Sequence, residues 1–382
     1  MAKMKRKPSI LLIYLMIIAA LAFFVLLFSL LYNGGGANQL AFHTEATQPQ
    51  QEPGVEVITP SVPTPSATPL PSLEGRLIPY LENGLWGYKN TSGQVVLAAA
   101  YSNAMEFDGN VTFAAKNGLY GLINRKGVFI AEPQWLNVLP FSEGYAAVAK
   151  DGSLWGYIDQ SGTLVIDYSF REAKSFHCGR AAVRNGSAYG YIDTQGVLAI
   201  GEKWRDAGDF SEDVAFAVSD EYEKDRQYII NKVGTKVATL SSSSRGMAFS
   251  DGFAMIRDTS GCFFINSEGS TAFRTVYEDA GDFSGGYAAV KIDGKWGYIN
   301  EKGVLVIEVV FQEALPFSNG LAAVCDAETG LWGYVEATGY FSIEPQYDEA
   351  QPFADGYAVV KAGNSYRIID KDNSSALLYD IA

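Results

Sequence analysis

Residues that could carry out acid–base or nucleophilic chemistry are scarce in this sequence. Its 382 residues include two histidines, His43 and His177, and a Ser-His-Asp or Cys-His centre needs a histidine beside its nucleophile. His177 directly precedes Cys178, but neighbouring side chains of an extended segment point to opposite faces, which keeps them apart. The pair is therefore interpreted as part of a surface loop, and no catalytic residue is predicted.

Metal and cofactor chemistry lacks its sequence signals as well. The three cysteines, Cys178, Cys262 and Cys325, have no pair at close spacing, so we interpret them as isolated and partly buried thiols. The sequence has no glycine-rich phosphate loop and no calcium-loop spacing. A carboxylate pair for glycoside hydrolysis stays open because 43 acidic residues are available, although nothing marks such a pair. We predict no metal site, no cofactor and no enzymatic activity.

The charge of the chain bears on its partners. The formal net charge is −14, whereas binding to nucleic-acid phosphates needs clustered lysine and arginine. A nucleic-acid partner is therefore not expected, and a solvated acidic surface is the ordinary explanation of the charge.

One phrase, Lys295-Trp296-Gly297-Tyr298-Ile299-Asn300-Glu301-Lys302-Gly303, organises most of the chain. Clean copies of its aromatic-Gly pair recur at Trp86-Gly87, Tyr120-Gly121, Trp155-Gly156, Tyr189-Gly190 and Trp332-Gly333. Weaker copies of the strand lie at Gln227–Asn231, Cys262–Asn266 and Tyr366–Asp370. A spacing of about 34 to 36 residues between clean copies indicates a repeat architecture.

Two turn signals accompany each copy and predict antiparallel strands. Asn-Gly or Asp-Gly, the pairs that favour type I′ hairpins, precedes the aromatic strand at Asn83, Asn117, Asp151, Asn185 and Asp293. A second turn, Asn/Asp-x-x-Gly, follows the strand in seven units, beginning at Asn90, Asn124, Asp159, Asp193, Asn231, Asn266 and Asn300. The Asx side chain can cap such a turn, and the glycine takes its left-handed position. Unit eight has Glu336 instead, and unit nine ends its turn at Asn373.

The aromatic strand predicts how units contact each other. Trp296, Tyr298 and Asn300 share one face, and a glycine beside an aromatic indicates that another backbone or ring approaches closely. We expect the Trp/Tyr series to stack between neighbouring repeats. Exposed aromatics for sugar or peptide binding are the alternative.

The predicted fold is all-β, with about nine three-stranded antiparallel units between residues 76 and 382. Propellers with four to eight blades are the common kind, and many share one blade between the chain termini. Nine units that begin and end at the same phase favour an open or spiral, solenoid-like array. A closed, propeller-like ring is the alternative.

The N-terminal region predicts membrane attachment. Residues 1–9 form a basic leader, and residues 10–32 are uncharged and apolar, long enough as a helix of about 35 Å to cross a bilayer. The positive residues before this segment predict a cytoplasmic N-terminus and a retained, single-pass signal-anchor in the cell membrane. Secretion after signal cleavage is the alternative. Residues 33–75, rich in Pro, Thr and Ser, are expected to form a disordered stalk that holds the β-domain outside the membrane.

These motifs resemble the bacterial WG-repeat family, named for its Trp-Gly pair. The resemblance covers about residues 76–382 and includes a second element, as in Pro140–Val148 and Pro352–Val360. Units five and six depart from it because neither has the Trp-Gly pair. The resemblance implies a β-repeat scaffold without a shared catalytic set.

Irregular segments of units five and six give the best functional lead. A mixed-charge insertion spans Ser219–Gln227, and Ser241–Gly246 replaces the usual link between units. Insertions in repeat arrays often lie on a binding face. We therefore expect a membrane-anchored, extracytoplasmic scaffold for non-catalytic binding of a protein or a cell-envelope polymer. The alternative is a carbohydrate- or peptidoglycan-binding module that uses exposed aromatics.

Overall fold

The computed structural model describes residues 74–219 and 226–380, which form β-strands and no helix. The chain divides after Pro71, and these residues all belong to the unit Ser72–Ala382. Accordingly, no helix within the described residues is long and apolar enough to cross a membrane. The leader, the expected membrane helix of residues 10–32 and nearly all of the stalk of residues 33–75 lie outside the described residues.

The strands are numbered in chain order and fall into consecutive units. Units one to three contain β1 (Leu77–Glu82), β2 (Leu85–Asn90), β3 (Val95–Tyr101), β4 (Asn103–Ala104), β5 (Val111–Lys116), β6 (Leu119–Asn124), β7 (Phe129–Trp135), β8 (Asn137–Val138), β9 (Tyr145–Ala149), β10 (Trp155–Asp159) and β11 (Leu164–Phe170). Units four to six contain β12 (Glu172–Ala173), β13 (Ala181–Arg184), β14 (Tyr189–Ile192), β15 (Leu198–Ala207), β16 (Val214–Ser219), β17 (Gln227–Asn231), β18 (Lys236–Thr239), β19 (Arg245–Gly246), β20 (Phe253–Asp258) and β21 (Gly261–Asn266). Units seven to nine contain β22 (Asp279–Ala280), β23 (Tyr287–Ile292), β24 (Lys295–Asn300), β25 (Leu305–Ala314), β26 (Leu321–Asp326), β27 (Trp332–Glu336), β28 (Phe341–Tyr347), β29 (Glu349–Ala350), β30 (Tyr357–Ala362), β31 (Ser365–Asp370) and β32 (Ser375–Asp380).

Nine antiparallel meanders follow one another in the described residues, as the turn chemistry predicts. Most units have a short strand before the three predicted ones, as β4 pairs with β5 in unit two. The prediction of three strands per unit is therefore incomplete. The short strand was not predicted because two residues leave no alternating pattern in the sequence. β15 and β25 each run through the end of one unit into the next, which joins units four and five, and seven and eight, into seven-stranded sheets.

The Asn/Asp-x-x-Gly turns have the predicted geometry. In unit seven, Asn300 Oδ1 accepts from the backbone N–H groups of Lys302 and Val304, at 3.0 and 3.1 Å. The same double acceptor occurs at Asn90, Asn124, Asp159, Asp193, Asn231, Asn266 and Asp370. Unit eight keeps its turn by the backbone bond from Gly339 to Glu336, and Asn373 takes the left-handed conformation in unit nine.

The Asn-Gly and Asp-Gly hairpins follow the prediction in three of five units. Asn83, Asn117 and Asp293 and the glycines after them all have positive φ, as type I′ turns require. At Asp151-Gly152 only the glycine has positive φ, and at Asn185-Gly186 neither residue does. The expectation is wrong there because the connections are longer: β9 ends at Ala149 and β10 begins at Trp155.

The glycine of each clean aromatic-Gly pair is required by the close approach of the next strand. A Cβ at Gly297 would lie 2.6 Å from the carbonyl oxygen of Ile307. At Gly87 and Gly333 the distance from an added Cβ to the nearest carbonyl oxygen of the next strand is 2.5 Å. The register shift between the Trp296–Phe311 and Tyr298–Ile307 pairs brings this carbonyl over the glycine. The predicted close backbone approach is confirmed.

Tyrosines of the same strand join each unit to the next. Tyr298 is fully buried, its ring lies 5.0 Å from that of Phe317 in unit eight, and its hydroxyl donates to the Leu315 carbonyl at 2.7 Å. Equivalent contacts are made by Tyr88, Tyr157, Tyr191 and Tyr334, each with a phenylalanine and a carbonyl of the following unit. For the tyrosines, the predicted stacking between repeats is confirmed.

Unit nine contacts unit one, so the array returns to its start. The glycine of each Asx turn packs against the last strand of the preceding unit, as Gly196 does on Ile166. Gly93 of unit one makes this contact with Ala376 of unit nine, where an added Cβ would lie 3.1 Å away. This contact contradicts the expected open or spiral array and agrees with the propeller-like alternative. The sheets remain separate, so the ring is not a continuous barrel.

The seam between units nine and one is held by side chains. Ile78 and Tyr80 form a buried cluster with Ile368 and Leu378. Lys89 Nζ donates to the Leu378 carbonyl at 2.6 Å. Closure therefore needs no sheet shared between the chain termini.

Arg76, which directly precedes β1, makes further hydrogen bonds at the seam. Its Nη1 donates to the Ala354 carbonyl of unit nine at 3.0 Å, and its Nη2 pairs with Glu106 of unit two at 3.1 Å. The Arg76 side chain is only 9% exposed, so these bonds lie mostly away from water. One side chain thus connects three units.

Tyr298→Phe tests the tyrosine contact between units. The change leaves the partly buried Leu315 carbonyl without its donor, so the free energy of unfolding should fall by about 1–2 kcal/mol. Urea denaturation followed by tryptophan fluorescence measures the loss. The matched control is Tyr340→Phe, since Tyr340 is 79% exposed, and this variant should unfold like the parent protein. Equal stability of both variants would contradict a structural role for the buried hydroxyl.

Arg76→Ala tests the seam. Amide hydrogen exchange should accelerate in β1 and β32 and stay unchanged in β9 and β10, because the lost bonds all lie at the seam or beside it. Arg184→Ala is the control, since Arg184 pairs with Glu172 inside unit four. If Arg76→Ala leaves exchange in β1 unchanged, the arginine does not hold the ring closed.

Candidate interaction surfaces

The loops of each unit collect at two ends of its sheet. Consecutive antiparallel strands alternate in direction, so the turn after the short strand and the Asx turn lie at the same end. This end is named the Asx end. The opposite end, named the hairpin end, carries the Asn-Gly hairpins and the links between units.

The described ends of the two irregular segments singled out from the sequence meet at the hairpin end. The insertion interrupts the hairpin between β16 and β17, and the serine-rich link joins β18 to β19. Gln227, the first residue of β17, is buried and bonds Gly246 twice: Nε2 donates to the carbonyl at 2.8 Å, and Oε1 accepts from the N–H at 2.7 Å. The base of the insertion is thereby fixed to the end of the link.

The serine-rich link has a defined local structure. Ser241 and Ser244 share a hydrogen bond between hydroxyls at 2.6 Å, and the Arg245 guanidinium donates to the Ser242 and Ser244 carbonyls. Ser242 and Ser243 are exposed. Residues 220–225 of the insertion lie outside the described part of the chain, so the link is the part of this candidate surface whose geometry is known.

A second set of loops occupies the Asx end, and sequence reasoning did not single it out. Each loop follows the short strand and has the form Ser-X-Gly in its regular copies. The loop serine donates to a phenylalanine carbonyl of the next unit, as Ser318 Oγ does to Phe353 at 2.6 Å. The same bond is made by Ser142, Ser211 and Ser284. These bonds align consecutive loops around the Asx end.

The middle residue of the loop makes a further contact, here named the loop latch. Its side-chain oxygen accepts from the N–H of the third residue of the next loop, as Asp251 does from Gly286 at 3.0 Å. Further loop latches join Glu143 to Gly179, Glu212 to Gly252 and Asn319 to Gly356. An acidic or amide oxygen therefore fits this position repeatedly.

The loop latch is missing between units seven and eight, where the middle residue is Gly285. Without a side chain there, a depression of about 220 Å³ opens between the two loops, lined by Gly285, Tyr287, Asn319 and Gly320 among others. Among the described residues, no partner accepts from the Gly320 N–H. The sequence signal that could have found this site is glycine at a position that is Glu, Asp or Asn in five other loops.

His177 and Cys178 occupy the equivalent loop of unit four, as the sequence predicts. His177 Nε2 lies 3.8 Å from Asp209 Oδ2, and the Cys178 backbone has a φ of 50°. Cys262 and Cys325 are buried, and burial raises the pKa of both thiols. In the described part of the chain, no three His, Cys, Asp or Glu side chains are placed to hold a metal ion.

One carboxyl near the short strand of unit seven has a perturbed protonation. Removal from water raises the pKa of Asp282 to about 6, although the residue keeps partial exposure. An acid whose folded pKa lies above its ordinary value stabilises the fold only while protonated. Its contribution is therefore lost as the pH rises from about 4 towards 6.

The aromatic series offers little exposed ring surface for a ligand. Tyr88, Tyr157 and Tyr298 have no exposed surface, and burial raises the pKa of each hydroxyl. The tryptophans of the Trp-Gly pairs are half-buried. The tyrosines are therefore interior residues and the tryptophans are only partly accessible, so the variable loops are the distinguishing surface of the ring.

The chain was compared with curated proteins and with solved structures. No match was found among curated proteins. The structure is similar to the crystal structure of a eukaryotic initiation factor, with 10% identity and a TM-score of 0.58, covering 81% of this chain and 96% of that one. It also matches BamB from Moraxella catarrhalis, with 12% identity and a TM-score of 0.36, covering 73% of this chain and 98% of that one.

The family model described as "WG containing repeat" matches seven segments: residues 86–120, 120–153, 155–187, 189–222, 263–296, 296–326 and 332–366. The matches leave out residues 223–262, where units five and six lack the Trp-Gly pair. They cover more than half of the chain and agree with the close glycine contacts and the buried tyrosine contacts described above. This chain belongs to the WG-repeat family.

Proposed function

We propose that this protein is a non-catalytic binding scaffold whose β-ring is displayed outside the cell membrane by the N-terminal segment. The partner is a protein or a cell-envelope polymer, and the irregular segments of units five and six form the main contact surface. The observation that supports the proposal is the pair of hydrogen bonds between Gln227 and Gly246, which joins the base of the insertion to the end of the serine-rich link.

The division of roles among residues supports a binding scaffold. The Trp-Gly pairs, the buried tyrosines and the Asx turns recur from unit to unit and are used in internal contacts. Loops that carry no such contact can vary without disturbing the ring. The insertion is the clearest variation, because it adds residues where other units have a short hairpin.

The chemistry of this surface suits a polar partner. Residues 220–226 contain four acids and two bases, and the exposed serines of the link can donate and accept hydrogen bonds. Charges of both signs favour recognition by complementary charges on a partner rather than burial of a large apolar area. A protein or an ionic envelope polymer presents such charges, whereas an uncharged lipid surface does not.

The membrane part of the proposal rests on the sequence alone. Residues 10–32 are uncharged and apolar, four positive residues precede them and none follows closely, which favours a cytoplasmic N-terminus. The Pro-rich residues that follow are suited to a spacer between membrane and ring.

Replacement of residues 220–225 by a Gly-Ser linker tests the contact surface. A photo-crosslinking residue at position 243 of the full chain, used in cells, should capture a defined partner, and the linker should reduce that capture at least tenfold. The control exchanges the regular hairpin Asp293-Gly294 for Asn-Gly, which preserves the turn and should preserve capture. Thermal unfolding verifies that each variant folds.

Unchanged capture by the linker variant would show that the insertion is not the contact surface. A crosslinked glycan in place of a protein would favour the carbohydrate-binding alternative, and an array of envelope glycans would then identify the ligand.

Deletion of residues 3–32 tests the anchor. The full chain should stay in the membrane fraction through a high-salt wash, because burial of an apolar segment does not depend on ionic strength. The deleted chain should become soluble. Added protease should cleave residues 33–75 of the full chain on intact cells from which any outer envelope barrier has been removed. Protection of those residues from protease would contradict the proposed orientation.

A further inference from the structure

The loop latches show which group fits beside a loop N–H, namely a side-chain oxygen. At the depression between units seven and eight this oxygen is missing. In four places a loop N–H binds a side-chain oxygen of the preceding unit, and three of these four oxygens belong to Glu or Asp. The Gly320 N–H occupies the same position in its loop. Its preceding unit has Gly285 there and supplies no oxygen.

We propose that this depression binds an acidic side chain, aspartate or glutamate, of a partner peptide. One carboxylate oxygen accepts from the Gly320 N–H and takes the place of the missing loop latch. The inference rests on the proposed binding function and names the ligand chemistry of a second contact surface, at the Asx end. Hydrogen bonds to an ionised acceptor are shorter and stronger than bonds between neutral groups, which favours a carboxylate over an amide.

The charges around the depression are compatible with an anion. Lys371 Nζ donates to the carbonyl of Asn319, the residue before Gly320, and this places a cation beside the site. Two carboxylates, Glu301 and Glu336, line the adjoining depressions together with Lys302 and Lys371. Each acid therefore shares its depression with a lysine, and Lys371 lines the depression that also contains Gly320.

The other glycine at the middle position of a loop shows why the site is specific to units seven and eight. Gly109 of unit two lies in an exposed loop that carries its own carboxylate, Asp108. Arg125 donates to the Gly109 carbonyl at 2.9 Å, and Gln160 donates to Asp108 at 3.0 Å. The loop of unit two therefore has a carboxylate, already bonded to Gln160, at the position where the loop of unit seven has the neutral Ser284.

The size of the depression fits one side chain of a peptide. Its volume of about 220 Å³ is several times the roughly 30 Å³ occupied by a water molecule in the liquid. Tyr287 and Phe317 form a tilted ring pair, 4.9 Å between centroids, and both line the depression. These rings can contact the methylene groups of a glutamate while its carboxylate reaches the N–H.

Titration of the full-length, ¹⁵N-glycine-labelled chain with acetyl-Gly-Glu-Gly-amide tests the site. The Gly320 amide signal, assigned by its loss in Gly320→Asn, should shift with half-saturation at about 1 mM, a value typical of one charged contact without other anchors. Acetyl-Gly-Gln-Gly-amide should shift it at least tenfold less at the same concentration. The titration needs no captured partner, so its outcome is separate from that of the crosslinking experiment.

Two variants at one position make the test decisive. Gly285→Asp restores the side-chain oxygen of the loop latch and should weaken binding of the Glu peptide at least tenfold. Gly285→Ala adds a methyl group without an acceptor and should bind like the parent protein. Both are feasible, because other loops have Asp, Glu or Asn at this position with the same positive φ. Lys371→Met should weaken binding by about threefold, consistent with a partly screened charge at the surface.

The proposal fails if the Gly320 signal does not respond to the Glu peptide, or if Gly285→Asp and Gly285→Ala bind it equally. An equal response to the Gln peptide would also overturn it, because a neutral amide would then satisfy the site. If Gly285→Asp does not fold, the Lys371→Met variant and the Gln peptide still decide the outcome.

Discussion

The ring depends on a tyrosine that has to be buried at the boundary between units. A phenol can enter a protein interior without loss only if its hydroxyl finds a partner. Tyr157 finds this partner in the next unit, where the Lys174 carbonyl accepts its bond at 2.8 Å, and its ring lies 4.9 Å from Phe176. A single unit would leave the ring and the hydroxyl half-solvated. The repeat therefore becomes stable by addition of neighbours, and closure gives the last unit the neighbour that an open array would lack.

The steric requirement beside the tyrosine explains why the sequence signature is so short. The residue before it must leave room for a carbonyl of the following strand, which only glycine does. Tryptophan at the position before that pairs across the sheet, as Trp296 does with Phe311. Unit six has Cys262-Phe263 at these positions. It lacks a regular final strand and has isolated bridges there, such as Cys262 to Tyr277. In unit six, loss of the signature and loss of the regular strand thus occur together.

The sequence predicts those parts of the fold that depend on local chemistry. Asn300 and its counterparts predict their turns because the Asx side chain and the glycine act within five residues. Ring closure is not predictable in this way, since the contact of Gly93 with Ala376 joins residues at opposite ends of the β-domain. The short strands were missed because two residues have no period. The depression at Gly285 was not predicted, because a glycine there is noticeable only once the structure shows that the side chain at this position in other loops forms the loop latch.

In a ring of similar units, the residues that distinguish one surface from another lie where a unit departs from the repeat. Where Asp251 fills the loop latch, the N–H of Gly286 is satisfied internally and offers nothing to a partner. Where Gly285 leaves the loop latch open, the same backbone geometry holds a donor ready without further ordering, and this lowers the entropic cost of binding. The same reasoning applies at the hairpin end, where Gln227 fixes the base of an otherwise extra segment. The tyrosines, glycines and Asx turns recur because each unit needs their contacts. A loop can depart from the repeat without destabilising the ring only where those contacts with the neighbouring units are kept.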